Sequence, residues 1–236
     1  MSGRAIEEAV FALGHDASVE IADTPALLRE AFQLRYQVYC VERGFLAGGG
    51  GIERDQYDRH ALHALVRWRQ TGAVVGTVRL VLPCSVDGHD YPIQQLCKPA
   101  LLGPFPRGTT GEVSRFALAK QMRGFSCNSS PLLRLALIQA AVRLSAEAGH
   151  SHWLAVMEPT LLRLLRSTGI HFEPLGPLVE YHGLRQPAVA ALGPTLARLK
   201  GEQPIVWSYV TQNGRWSPGW QATCSRVISH HEAAAA

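Results

Sequence analysis

The stretch Gly111-Glu112-Val113-Ser114-Arg115-Phe116-Ala117-Leu118 constrains this chain most, because it writes two opposite charges into a segment that otherwise reads as a strand. In a regular strand, side chains alternate with a period of two. Glu112, Ser114 and Phe116 then share one face, and Val113, Arg115 and Ala117 the other. Both faces carry polar groups, and a buried charge without a partner is costly. Such a strand either holds a structural Glu-Arg pair or borders a site. Gln121-Met122-Arg123-Gly124-Phe125-Ser126 follows, and then an apolar helix from Leu132 to near Ala148-Gly149.

The chain has 236 residues, 47% of them hydrophobic and 18% charged, enough to bury a sizeable core. We expect one domain over 1–236, with a core at about 18–193 and an extension of unassigned role at 194–236. The formal charge is 23 − 19 = +4, spread without a Lys/Arg run. That pattern argues against a nucleic-acid partner and suits an acidic protein partner. Cys40, Cys84, Cys97, Cys127 and Cys224 are odd in number and lack Cys-x-x-Cys spacing, so neither a disulfide framework nor a zinc site is indicated. The N-terminus lacks the apolar core of a secretory signal, and no run reaches membrane-spanning length. A soluble, cytoplasmic protein is the expectation.

In chain order, residues 4–13 are weakly amphipathic and Val19–Ile21 is a brief strand. Asp23 or Thr24 caps a helix from Pro25 to about Arg43, whose apolar residues keep helical spacing. Leu46-Ala47-Gly48-Gly49-Gly50-Gly51 must be mobile or tightly turned, and reads as a flap leading into Glu53-Arg54-Asp55-Gln56-Tyr57-Asp58. Ala61–Trp68 and Val74–Leu82 form a hairpin around Gln70-Thr71-Gly72, with Arg79 inside its second strand. Pro83–Gly108 is a covering loop with one helical turn at Ile93–Cys97. Trp153–Met157 is a strand, Pro159–Ser167 a helix, and Phe172–Leu192 two or three short strands. Beyond Pro194 the pattern gives a weak helix and a strand-like Ile205–Val210. This order predicts an α/β (α+β) fold: a mixed, mostly antiparallel central sheet flanked by helices.

The segment Gln121-x-x-Gly124-x-Ser126 between strand and helix presents N–H groups and a positive helix end, suited to a phosphate or pyrophosphate. An ordinary glycine turn reads the same way. With the preceding strand and following helix, it resembles the acyl-carrier loop of the GNAT acyltransferase superfamily, although a serine stands where that pattern has Gly or Ala. More specific is the series Arg35-Tyr36, Glu53-x-Asp55-x-Tyr57-Asp58, Gly76-Thr77-Val78-Arg79-Leu80 and Glu112-Val113-Ser114-Arg115-Phe116. Its order and spacing resemble the acyl-homoserine-lactone synthases and the related N-acyl amino acid synthases. Tyr57-Asp58-x-His60-Ala61-x-His63 and Gly176-Pro177-x-Val179-Glu180-Tyr181-His182-Gly183-x-Arg185 are most similar to the acyltransferases of PEP-CTERM/exosortase systems. The resemblance covers roughly residues 20–192.

The resemblance implies a GNAT-like fold that moves a fatty acyl group from a phosphopantetheine thioester to a primary amine. Acyl carrier protein or coenzyme A would carry the thioester as co-substrate, with no tightly bound cofactor. Arg35, Asp55, Asp58, Arg79, Glu112 and Arg115 match the charged positions of the amine site, beside Ser114 and Phe116. Gln121, Arg123, Gly124 and Ser126 match the thioester-arm loop. Phe45 and four glycines occupy the region where the lactone synthases have a tryptophan, which weakens S-adenosylmethionine as the amine donor.

The residue types suit that chemistry on their own account. Amide formation from a thioester needs an uncharged amine, a donor for the developing oxyanion and release of the thiolate. Glu112 is the base, directly or through water. Arg115 and Arg79 could grip a carboxylate, and Asp55 or Asp58 an ammonium. Cys127 lacks a nearby His partner and is not assigned as nucleophile. His60 with His63, and His150 with His152, lack the carboxylates that would complete a metal set. Lys120, Arg123, Arg134 and Arg143 form either a docking patch for acidic acyl carrier protein or a solvated helix face.

Overall fold

A computed structural model describes residues 8, 10, 12, 14–47, 49–84, 90–98, 101–120 and 126–217. Its centre is an eight-stranded sheet in the order β1-β2-β3-β4-β5-β8-β6, with β7 added to β8. The strands are β1 (Ala17–Ile21), β2 (Ala61–Trp68), β3 (Val74–Val81), β4 (Thr110–Leu118), β5 (His152–Met157), β6 (Glu173–Pro174), β7 (Val179–Glu180) and β8 (Leu184–Ala191). Only the β4–β5 pair is parallel; the other pairs are antiparallel. The expected mixed, mostly antiparallel sheet flanked by helices is therefore present.

Two features of β4 shape everything around it. Its pairing with β5 covers only Thr110–Glu112 against His152–Leu154, after which the two strands part. Its pairing with β3 slips, so that Thr77 faces Ala117 while Arg79 faces Ser114. Three residues of β4 thus span the length of two on β3, which is a β-bulge. Arg115 takes a left-handed φ of 48° within it. The strict alternation expected from the sequence fails here: Arg115 turns towards the ion pairs described below, and Phe116 packs against the main core beside Val113.

Helix α1 (Pro25–Arg35) is capped by Thr24, whose hydroxyl accepts the Leu27 N–H at 3.3 Å, and Pro25 sits where no N–H is needed. The sequence predicts one helix to about Arg43. Its second half, Tyr36–Glu42, is instead wound as a π-helix, a form that often marks functional sites. The glycine flap is tightly turned: Gly50 and Gly51 hold φ of 72° and 75°, and Gly49 pairs with Ile52. Gly48 lies outside the described residues.

Helix α2 (Ser126–Glu147) is apolar almost all round because it is covered on two sides. The inner strands lie on one side, and helix α5 (Pro204–Thr211) on the other. Ser145 links α2 to β5 by accepting the Trp153 Nε1–H at 2.7 Å. Helices α3 (Pro159–Ser167) and α4 (Leu192–Glu202) complete the fold. The strand expected at Ile205–Val210 is corrected to helix α5. Val206 and Val210, four residues apart, are both buried, and Gln139 donates its side-chain amide to the Tyr209 carbonyl at 2.6 Å. Packing on α2 overrides the β-branched composition. No described helix is long and apolar enough to cross a membrane.

Leu137, fully buried on α2, and Leu184, 57% exposed on β8, give a direct check of this packing. Leu137→Ala should cost about 2–5 kcal/mol in urea denaturation. Leu184→Ala should stay within about 0.5 kcal/mol.

Candidate active site

Three arginines and three carboxylates close an alternating ring between α1, the loop at 53–58, β3 and β4. Arg35 donates through Nε to Glu53 at 2.5 Å and through both Nη atoms to Asp58 at 2.7 and 3.1 Å. Arg115 grips Glu53 through Nε and Nη2, and its Nη2 also reaches Asp55 at 2.8 Å. Arg79 Nη1 joins Asp55 at 2.6 Å and Asp58 at 2.7 Å, which completes the circuit. Arg79 Nε donates to Ser114 Oγ at 3.1 Å. Local structure prepares the acids: Asp55 accepts the Tyr57 N–H, and Asp58 accepts the Asp55 N–H, a reciprocal capping box on a 3-10 turn.

Arg35 and Arg79 are fully buried, so direct pairing must offset their desolvation. Burial alone would raise Asp58, but hydrogen bonding and charge from Arg35, with the charge of Arg79, hold it well below the carboxylate range. Glu53 is lowered in the same way, burial being outweighed by hydrogen bonds from Arg115 and Arg35. His63 lies against the ring with Nε2 3.6 Å from Asp58 Oδ1 and neither ring nitrogen hydrogen-bonded. Burial and the adjacent Arg35 push it down to about 3, so it is neutral. Tyr39, on the π-helix, places its ring under the Arg115 guanidinium at 5.5 Å.

Glu112 stands outside the ring. It is 2% exposed, and its Oε2 accepts one hydrogen bond, from the Ile93 N–H at 2.8 Å. Burial pushes its carboxyl up to about 7, against the opposing effects of that N–H and the charges of Arg79 and Arg115. A carboxyl poised there is half ionised near neutrality, the condition that best suits a general base.

Glu112, Ser114, Arg115, Phe116 and Asp55 line one cavity of about 370 Å³, which opens where β4 and β5 part. Ile93, Leu96, Val113, Val156, Met157, Leu161 and Leu164 give it an apolar wall. At the opposite lip stand Arg43, Phe45, Glu158, His182 and Arg185.

The structure thus brings Arg35, Asp55, Asp58, Arg79, Glu112, Ser114, Arg115 and Phe116 together. Arg79 pairs through Nη1 with Asp55 and Asp58, Arg115 pairs through Nε and Nη2 with Glu53 and Asp55, and Arg79 Nη2 is buried without a partner among the described residues. Asp58 is enclosed by arginines, whereas Asp55, paired with Arg79 and Arg115, is 24% exposed and lines the cavity. Gln121, Arg123 and Gly124 lie outside the described residues, as do the side chains of Ser126 and Cys127. Of the expected basic patch, Arg143 is paired with Glu147 at 2.9 Å and stacked over Trp216. Among the described residues no group of side chains could hold a metal ion. Glu53 was legible only as one of three closely spaced acids; its bridging of Arg35 and Arg115 depends on residues 18 and 62 positions away.

Comparison with known proteins agrees with the fold. Residues 34–130 match the acetyltransferase (GNAT) domain family. The fold is similar to that of TofI, solved with an inhibitor and MTA, at 26% identity and a TM-score of 0.60 over 80% of this chain and 99% of that one. It is similar to BjaI, a CoA-dependent acyl-homoserine lactone synthase solved with SAM and isopentyl-CoA, at 22% identity and a TM-score of 0.59, covering 79% and 88%. It is also similar to FeeM, an N-acyl amino acid synthase from uncultured soil microbes, at 14% identity and a TM-score of 0.56, covering 77% and 93%. The chain carries a GNAT-like fold shared with these proteins.

The raised Glu112 carboxyl has a consequence for stability. Between its ordinary value of 4.5 and about 7 the folded protein holds a proton that the unfolded chain has released. Stability contributed there is present below pH 4.5 and lost as pH rises through 7. Glu112→Gln should therefore gain on the wild type from pH 5 to 8, by on the order of 3 kcal/mol in urea melts. A difference independent of pH would place the Glu112 carboxyl at an ordinary value.

Proposed function

We propose that the protein is an N-acyltransferase that moves a fatty acyl group from a phosphopantetheine thioester to the amine of an amino acid or related small amine, giving an N-acyl amide. The observation that carries this reading is the buried Glu112 carboxyl, near 7, on the wall of the cavity between the parted strands β4 and β5.

The edge of β4 beyond Glu112 no longer pairs with β5, and its N–H groups are available to the thioester carbonyl oxygen. Asp55 holds the incoming ammonium, and Glu112, directly or through water, takes a proton from the nitrogen. The nitrogen lone pair forms the bond to the carbonyl carbon, the C–S bond breaks, and the second proton lost by the nitrogen passes to the leaving thiolate, directly or through water. Positioning alone can supply roughly 7–11 kcal/mol of such a barrier, so no covalent acyl-enzyme is needed. Two of the described thiols fit that route, because burial pushes Cys40 and Cys97 up, away from the reactive thiolate.

Acyl carrier protein, with coenzyme A as the other donor, is the proposed source of the acyl group; the net charge of +4 suits an acidic carrier. The 176–185 motif supports an amino acid acyltransferase of the exosortase-associated kind. The likeness to BjaI, solved with SAM and isopentyl-CoA, favours a second reading, a lactone synthase using S-adenosylmethionine. Phe45 and its neighbouring glycines weigh against it.

Mass spectrometry of lipids from cells expressing the wild type or Glu112→Gln separates the readings without a guess at the acceptor. New N-acyl amino acids that fall by about 10²–10⁴ in the variant are expected for loss of a general base. Acyl-homoserine lactones would favour the second reading. Folded protein with no new acyl amide would leave an acyl-carrier-binding module without turnover.

A further inference from the structure

The lip opposite the ring carries cations that the proposed chemistry does not use. Arg43 and Arg185 flank one ring, with guanidinium carbons 5.6 and 5.7 Å from the Phe45 centroid. The other neighbour of Phe45 is His182, stacked at 5.5 Å. His182 is held at a φ of 51°, a backbone conformation that costs free energy outside glycine and recurs at ligand clamps. Both arginines share the Glu158 carboxylate, at 3.5 Å from Arg43 and 3.4 Å from Arg185. Those separations exceed hydrogen-bonding distance, and Arg43 has no closer polar partner among the described residues. Glu158 is also the residue at which α3 begins, where the helix dipole favours negative charge.

We propose that this lip is an oxyanion site, occupied in the free protein by Glu158, which yields to a phosphate or carboxylate carried by a substrate. Its donors are Arg43 and Arg185, set by Phe45 and His182. Glu158 holds the place of a ligand: an anion between two arginines and a helix N-terminus, too far from either arginine to be hydrogen-bonded. One carboxylate against two guanidinium groups leaves a net charge of +1. The inner arginines of the ring have no such surplus.

The position narrows the ligand. Leu154 on β5 is level with Glu112, and Glu158 lies four residues further, roughly 13 Å at about 3.3 Å per residue. Arg185 is anchored at the β7–β8 hairpin, where its Nη1 and Nη2 donate to the carbonyls of Leu184 and His182 at 3.1 and 2.6 Å. The carboxylate of an α-amino acid is one carbon from its amine and cannot reach this lip while the amine is at Glu112. The anion is therefore the phosphate of the thioester arm or a group several atoms distant from the acceptor's amine. Calling the ligand a substrate rests on the proposed acyl transfer; the oxyanion site itself does not.

Inorganic phosphate binding to the full chain, followed by 31P NMR line broadening, tests the site without requiring turnover, so its failure leaves acyl transfer untouched. Glu158→Gln should tighten phosphate and Arg43→Met weaken it, each by roughly three- to tenfold, the scale of a charge contact at an exposed rim. Opposite shifts from one lip are not expected of a merely structural cluster. Displacement of phosphate by 4′-phosphopantetheine but not by pantetheine would assign the site to the donor. Phosphate retained beside bound 4′-phosphopantetheine would assign it to the acceptor. Phosphate affinity unmoved by both substitutions, or moved the same way by both, overturns the proposal; Arg43 is an exposed residue, so its replacement leaves the core intact.

Discussion

The alternating ring of Arg35, Glu53, Arg115, Asp55, Arg79 and Asp58 is the constraint on which the rest of the site depends. Three positive and three negative charges cancel, which permits burial of groups that could not be buried singly. Such a ring is a weak source of net stability, since desolvation consumes most of the attraction. Its effect is positional. Each member is fixed by two neighbours, so removing one leaves an uncompensated buried charge. The ring joins four chain segments far apart in sequence and holds Arg115 at the bulge where β4 turns beside the cavity.

The ring also explains why one carboxyl differs from the others. Glu53, Asp55 and Asp58 receive guanidinium hydrogen bonds directly, and these outweigh burial for Glu53 and Asp58. Glu112 receives one neutral N–H, from Ile93, and feels the arginines only through space. The same strand therefore carries a cation paired within the ring at Arg115 and a carboxyl without an ionic hydrogen bond at Glu112. The parting of β4 from β5 begins immediately beyond Glu112, which brings the titrating group to the cavity wall.

Much of the scaffold was legible because local signals agreed with tertiary packing. Pro159–Ser167 and Ala61–Trp68 fall where their turn residues and periodicity place them. Ile205–Val210 did not, because β-branched composition favours a strand while the cover over α2 requires Val206 and Val210 on one helical face. The charges of the site were legible as residues, through their order and spacing, but not as partners. Arg79, which by composition alone would face water, is buried in the ring. The bulge at Arg115 lies in the register between β3 and β4 and leaves no mark on β4 alone. Arg43, Phe45 and Arg185 gather only once the turn after the π-helix meets the β7–β8 hairpin, a meeting no local pattern records.

The central claim is that Glu112 is an acid-base group, whereas the carboxylates of the ring are fixed charges. The direct measurement is a pH titration of the glutamate side-chain carboxyl by 13C NMR, with Glu112→Gln and Glu53→Gln used for assignment. The Glu112 signal is expected to titrate near 7 and that of Glu53 below its ordinary value of 4.5. A Glu112 signal titrating at its ordinary value of 4.5 would contradict an acid-base role.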